Sequence, residues 1–443
     1  VSTEPARRRI AVVVQRFGLE VNGGAELHAL MLAQRLARTH EVEVLTSCAR
    51  DYRDWALDYP AGEGEVAGLR VRRFTHPRRN PDGARARVPL VHKLRFLGRR
   101  LWRLLPGPLV LRPRGDADHD GLTFLYRQGP HCVDLLEHLR ASGARYDAVL
   151  FFAALYEPAA LGVLAWGRRS VLVPLLHDEK PMYLPVFHRV FRAAGAILFN
   201  TESERRLAAR MYGIDGSVGT VAGVGIDIVD PGAEARAAAR ARHGIDGPYV
   251  VYVGRIDVAK GCRDLLRAFG LWARHDPKAR LVLVGQPFMT IEPRPGVVTT
   301  GFVPEIERNA LIAGATALVI PSRYESLSLV TLEAMQLGVP VIANARCEVL
   351  DEHIRASGAG WAYRGVRALA AALRRMAALA PPERAALGDR GRAYVAARYS
   401  WEHVLDQVQG ALERVRALPA ATGAAAAGLP VSSLPLRPPA PPS

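Results

Sequence analysis

The sequence predicts an α/β protein made of two doubly wound parallel sheets in tandem. Three observations carry that reading. Short, almost wholly apolar runs such as "DAVLFFAAL" and "ALVIPS" recur along the chain, which suits strands buried on both faces. Stretches with apolar residues at helical spacing separate most of them. The alternation then starts afresh after "VAGVGIDIVDPGAEARAAARARHGI", as a second sheet would.

Taken in order, "RIAVVVQRF" is the first strand and "GGAELHALMLAQRLARTH" its helix, with Leu27, Leu30, Ala33 and Leu36 on one stripe. "EVEVLTS" and "GLRVRRF" come next as strands, and an insertion near residues 76–125 interrupts the pattern. Strands resume at "DAVLFFAAL", "SVLVPLLH" and "GAILFNT", each followed by a helix-compatible stretch. In the second half "PYVVYVGR" precedes a helix carrying Leu265, Leu266, Phe269 and Trp272. "RLVLVG", "GVVTTGFV", "ALVIPS" and "PVIAN" complete that sheet. The pattern assigns one Rossmann-like domain to residues 1–228 and another to 229–398. A terminal helix at 399–418 is expected to pack back on the first domain. The last segment, 419–443, is Pro/Ala/Ser-rich without periodicity and is expected to be disordered.

Composition narrows the function classes. With 49% hydrophobic and 23% charged residues, the 443-residue chain has the mix of a soluble globular protein. Cys48, Cys132, Cys262 and Cys347 form no CxxC pair, which excludes a local zinc ribbon and suits a reducing cytoplasm. No apolar run reaches membrane-spanning length, and the opening "VSTEPARRR" lacks the features of a signal peptide. A cytoplasmic protein is expected.

The net charge of +16 is an arginine excess that phosphorylated ligands or anionic membranes can use. Part of it lies in residues 92–114, where Leu94, Leu97, Leu101, Leu104 and Leu105 fall at helical spacing. That segment reads either as an Arg-faced helix packed on its own domain or as a peripheral contact with an anionic membrane at its inner face. No recognition motif for nucleic acid occurs, so no nucleic-acid partner is expected. "DADHD" (116–120) has the D-x-D spacing that can hold a divalent cation, but no strand leads into it. It reads as a solvated acidic loop, and no metal is expected.

Open parallel sheets bind ligands outside the carboxyl ends of their strands. After "YVVYV" comes "GRIDVAKG", which puts Arg255 and Lys260 around one strand end, a pairing that suits a diphosphate. After "ALVIPS" comes "RYESLSLVTLEAMQLG". Glu325 falls in the loop, and a helix should run from near Ser328 to Gly338, with Pro340 barring its continuation. The amides around Ser326 to Leu329, Leu327 and Ser328 included, form its positive end. Glu333 lies one to two turns inside and carries the bidentate acceptor geometry that a ribose diol presents to. Taken alone, Glu333 would be an ordinary helix glutamate; its place in the whole constellation makes it a candidate. In the first half "NGGAE" offers Gly23 and Gly24, which permit positive φ and close ligand approach, followed by Glu26. His177 and Asp178 end another strand, as does Asn200.

Together, "VGRIDVAKG", "PSRYESLSLVTLEAMQLGVPVIA" with its E-x7-E spacing, "NGGAE" and "GVGID" resemble glycosyltransferase family 4, over residues 8 to about 412 apart from the insertion. The resemblance implies the GT-B architecture, two Rossmann-like domains facing an interdomain cleft, and a retaining transferase that needs no metal. The co-substrate it implies is a nucleotide-sugar such as a UDP- or GDP-sugar, and the acceptor a sugar, lipid-linked or other hydroxyl in cell-envelope glycan or glycolipid synthesis. Arg255 and Lys260 would hold the donor diphosphate, helped by Gly23, Gly24 and the amides of Leu327, Ser328 and Leu329. Glu333 would bind the ribose, and Glu325 would act beside the donor sugar. His177 would contact the sugar or acceptor, with Asp178, Glu26 and Asn200 as further candidates. The family often has Glu-Gly-Phe-Gly where this chain has Glu325-Ser326-Leu327-Ser328, so added side chains narrow the loop. An epimerase or phosphorylase on the same fold, and a non-enzymatic basic membrane-docking module, are the alternatives. A pyridoxal-dependent phosphorylase would need an anchoring lysine, and only Lys260 and Lys278 lie beyond residue 228.

Overall fold

The computed structural model describes residues 7–77 except Asn22, together with 117–142, 145–214 and 216–418. The basic segment 92–114 and the tail 419–443 lie outside these residues. The chain forms two compact units, one of residues up to Ala222 joined by those from Asp406 onward, the other Gly223–Leu405. The division falls a few residues ahead of the expected position near 228. The last helix, Trp401–Ala417, contributes its residues from Asp406 onward to the first unit. There Arg414 Nε donates to the Gly195 carbonyl at 3.3 Å.

The first unit holds an eight-stranded sheet of β1 (Arg9–Val13), β2 (Glu41–Ser47), β3 (Gly62–Val66), β4 (Leu69–Phe74), β5 (Ala148–Phe152), β6 (Ser170–Val173), β7 (Ala196–Phe199) and β8 (Gly219–Val221). Their order is β3-β4-β2-β1-β5-β6-β7-β8, with every pairing parallel except β3 with β4. All five residues of β5 are buried, as a central strand covered on both faces requires. β3 was not expected: its sequence, GEGEV, is exposed, and as an antiparallel edge strand it has no apolar run to announce it. "DADHD" is a correction to the sequence reading. Its residues from Ala117 on begin the helix Ala117–Gln128 instead of forming a loop.

The second unit holds a six-stranded, wholly parallel sheet of β9 (Val250–Val253), β10 (Leu281–Val284), β11 (Val297–Gly301), β12 (Ala317–Ile320), β13 (Val341–Asn344) and β14 (Gly360–Tyr363). Their order is β11-β10-β9-β12-β13-β14. The helix Cys262–Ala273 buries Leu265, Leu266, Phe269 and Trp272 against this sheet, the stripe read from the sequence. β14, a short and partly exposed edge strand, was not expected. Among the described residues no helix is long and apolar enough to cross a membrane. The four cysteines are buried and free.

Candidate functional site

In the second sheet the strand order reverses between β9 and β12, so the loops leaving these two neighbours flank the place where an open sheet takes its ligand. Both loops carry the expected residues. Past β9, Asp257 organises the turn: its Oδ2 accepts from Arg255 Nε, and its Oδ1 accepts from the Lys260 backbone N–H at 2.6 Å. Gly261 comes next at φ 83°, and a Cβ there would lie 2.5 Å from the Pro321 carbonyl. Glycine is therefore needed both for the turn and for the close approach to the exit of β12.

That approach brings the two loops into contact. Lys260 Nζ donates to Glu325 Oε1 at 2.9 Å. The Lys260 side chain is 34% exposed and that of Glu325 17%, so water and ligands can reach the pair. An ion pair this accessible contributes only about 0–1 kcal/mol, and an incoming anion can displace it. The Arg255 side chain is 38% exposed and its guanidinium lies 5.9 Å from the centre of the Phe288 ring.

The helix Leu329–Gln336 starts at Ser328, which adopts φ 64°, a left-handed conformation unusual for a residue with a Cβ. This is the position where the resemblance leads one to expect glycine. The Ser328 hydroxyl lies 2.8 Å from that of Thr331. Glu333, in the interior of this helix, is nearly buried. Arg308 Nη2 donates to its Oε1 at 3.1 Å, whereas its Oε2 has no hydrogen-bond partner among the described residues. Burial pushes this carboxyl above its ordinary pKa, and Arg308 pulls it part of the way back. One buried carboxylate oxygen without a donor is costly unless a ligand hydroxyl or N–H supplies one.

The first unit carries its own set at the carboxyl ends of β1, β6 and β7. The glycines of "NGGAE" differ from expectation. Gly23 has φ 174°, ordinary extended backbone, and Gly24 begins the helix Gly24–Leu36, so neither needs a left-handed conformation. Gly23 is constrained by space: a Cβ there would lie 2.0 Å from Glu26 Oε2. Glu26 itself is buried in an ion pair with Arg16 at 2.5 Å and accepts from Gln15 Nε2 at 2.8 Å. Its carboxylate shapes the loop after β1.

After β6 and β7 the organiser is Glu204, which the sequence did not single out. Its two carboxylate oxygens accept from the backbone N–H groups of Leu176 and Asn200, each at 2.6 Å, tying the two strand exits together. Burial raises its pKa to about 7 despite these bonds. His177 Nδ1 lies 3.7 Å from Glu179, and Asp178 accepts from the Tyr183 hydroxyl at 2.7 Å. Both stay partly exposed. Asn200 is buried, yet neither its Oδ1 nor its Nδ2 has a partner among the described residues. No group of three or more His, Cys, Asp or Glu side chains suited to a metal ion occurs among the described residues.

A model of the family described as Glycosyl transferases group 1 matches residues 247–378, the span that holds the β9 and β12 loops. A D-inositol 3-phosphate glycosyltransferase of Nocardioides sp. is 30% identical over 354 residues, covering 67% of this chain and 74% of that protein. The enzyme of the same name from Acidothermus cellulolyticus is 31% identical over 243 residues, 50% of this chain and 53% of that protein. Among solved structures, sucrose-phosphate synthase from Thermosynechococcus elongatus superposes with a TM-score of 0.61 at 19% identity, covering 92% of this chain and 99% of that one. Anabaena HepE in complex with UDP-glucose gives 0.60 at 16% identity, covering 93% and 100%. At such identities the structural likeness shows the fold, two Rossmann-like α/β domains of GT-B type.

Proposed function

The chain belongs to glycosyltransferase family 4, and on that premise we propose that it moves a sugar from a nucleotide-diphospho-sugar to an acceptor hydroxyl, with retention and without a metal ion. The single observation that carries this reading is the 2.9 Å contact of Lys260 with Glu325 across the ends of β9 and β12. Cleaving a sugar–phosphate bond builds negative charge on the departing diphosphate and positive charge on the sugar ring. Lys260 and Arg255 supply fixed positive charge for the first, and Glu325 supplies negative charge for the second. Preorganised groups of this kind stabilise a transition state because they need no reorientation as charge develops. The cations also do the work that a divalent ion would otherwise do for the leaving group.

In this reading Glu333 takes the ribose hydroxyls on its Oε2, which has no partner among the described residues. The backbone N–H groups from Ser326 to Leu329 donate no hydrogen bond among the described residues and are assigned to phosphate oxygens. His177, Asp178 and Asn200 are assigned to the sugar or acceptor, and Gly23 and Gly24 to phosphate approach. The UDP-glucose complex of the HepE neighbour makes UDP-hexoses the first donors to try. The names of the curated relatives add a cyclic polyol phosphate to sugar and lipid-linked hydroxyls as acceptors. Envelope glycan or glycolipid synthesis in the cytoplasm, with residues 92–114 against the inner face of an anionic membrane, suits such acceptors.

The test is a screen of UDP-, GDP- and ADP-sugars by slow donor hydrolysis, followed by transfer assays with the donor that is used. Turnover is expected to survive chelator within about twofold, and the product anomer, read by proton NMR, is expected to match the donor. Activity lost to chelator and restored by manganese would remove metal independence, and an inverted anomer would remove retention. A donor converted to an isomeric nucleotide-sugar with no acceptor present would favour the epimerase alternative.

A further inference from the structure

No residue of the helix Glu348–Ser357 is assigned above, yet two side chains at or near it contact the loop that carries Glu325. Cys347, its N-cap residue, directs its Sγ to the Glu325 carbonyl at 3.9 Å. His353, fully buried, lies with Nε2 2.7 Å from the Leu327 carbonyl. Its Nδ1 lies 3.0 Å from the Tyr394 hydroxyl. A carbonyl only accepts, so Nε2 carries the proton, and the neutral ring accepts from Tyr394 on Nδ1. Burial favours that neutral form.

Peptide geometry gives these contacts a consequence. In a trans peptide the C=O of one residue and the N–H of the next point in opposite directions. Turning the Glu325 and Leu327 carbonyls toward Cys347 and His353 therefore turns the N–H groups of Ser326 and Ser328 away from them. Neither of these N–H groups donates a bond among the described residues. Ser328 meanwhile holds φ 64°, a conformation that is strained for a non-glycine residue and persists only where the surroundings enforce it. The clasp on the adjacent Leu327 carbonyl is such an enforcement.

We infer that His353, backed by Tyr394, is a positioning residue for donor binding: by holding the Leu327 carbonyl it aims the Ser326 and Ser328 amides at the diphosphate. This rests on the diphosphate-binding role proposed for that loop. His353 touches neither substrate nor reacting atoms, so its effect should appear in recognition of the phosphates and not of the nucleoside. Glutamine at 353 keeps one donor and one acceptor; phenylalanine keeps only the volume.

The experiment is calorimetry of the full chain with UDP, GDP and ADP and with the matching nucleosides, for wild type, His353→Phe, His353→Gln and Tyr394→Phe. His353→Phe is expected to weaken the bound diphosphate by about tenfold while nucleoside affinity moves less than about twofold. His353→Gln should stay within about threefold of wild type, and Tyr394→Phe should fall between the two. Equal loss for nucleoside and diphosphate, or a folded His353→Phe with wild-type diphosphate affinity, would overturn the inference. If His353→Phe does not fold, Tyr394→Phe decides: unchanged diphosphate affinity overturns it. A wild-type chain that binds none of the three diphosphates would instead remove the proposed function on which the inference stands.

Discussion

Glu325→Gln is expected to cut sugar transfer by about a hundredfold to a thousandfold while leaving nucleoside diphosphate affinity within a few fold. Glutamine keeps the size of the side chain and one acceptor, so the loop should keep its shape, held as it is through backbone carbonyls by Cys347 and His353. The change removes the negative charge beside the place where positive charge develops on the sugar. Removing one preorganised electrostatic group typically costs about 2.7–4 kcal/mol of barrier, which corresponds to that range in rate. Binding of the diphosphate should not suffer, because the change also frees Lys260 from the carboxylate that competes for its ammonium. Turnover within threefold of wild type in a single-turnover assay would take Glu325 out of the chemistry.

The combined change Arg255→Ala and Lys260→Ala has the opposite profile. It should weaken diphosphate binding by at least about a hundredfold and leave the fold intact. Hydrogen bonds from charged groups are worth about 1.5–3 kcal/mol each, and two neighbours on one ligand need not add fully. Both side chains are more than a third exposed, so truncation opens no cavity in the core. Asp257 would keep the Lys260 backbone N–H, so the turn itself should persist. Unchanged calorimetric affinity for the diphosphate would remove the clamp, whereas a parallel loss of nucleoside affinity would point to a collapsed loop.

Much of this site was legible because it obeys a rule about sheets. The apolar runs of β9 and β12 stand out, and the loop after each of them lies at a carboxyl end; topology then makes the two strands neighbours and brings Lys260 to Glu325. The supporting residues were harder to see. Asp257 had a signal, since an aspartate three residues before Lys260 in a glycine-bounded loop is placed to accept that backbone N–H. Arg308, Glu204, His353 and Tyr394 had none: each acts through a buried contact between segments distant in sequence. Of the reasons for singling out Gly23, positive φ does not hold, because spacing cannot separate a need for positive φ from a need for room beside Glu26. The strands that escaped notice, β3, β8 and β14, are short or exposed edge strands, where neither face requires an apolar run.

The most direct test of the central claim, that the β9 and β12 loops grip the donor, is a crystal structure of the protein with whichever of UDP, GDP or ADP it binds. The diphosphate is expected on Arg255, Lys260 and the amides from Ser326 to Leu329, with a ribose hydroxyl on Glu333 Oε2 and Lys260 drawn off Glu325. A nucleotide bound elsewhere, with the Lys260–Glu325 pair and the Glu333 oxygen unchanged, would contradict that claim.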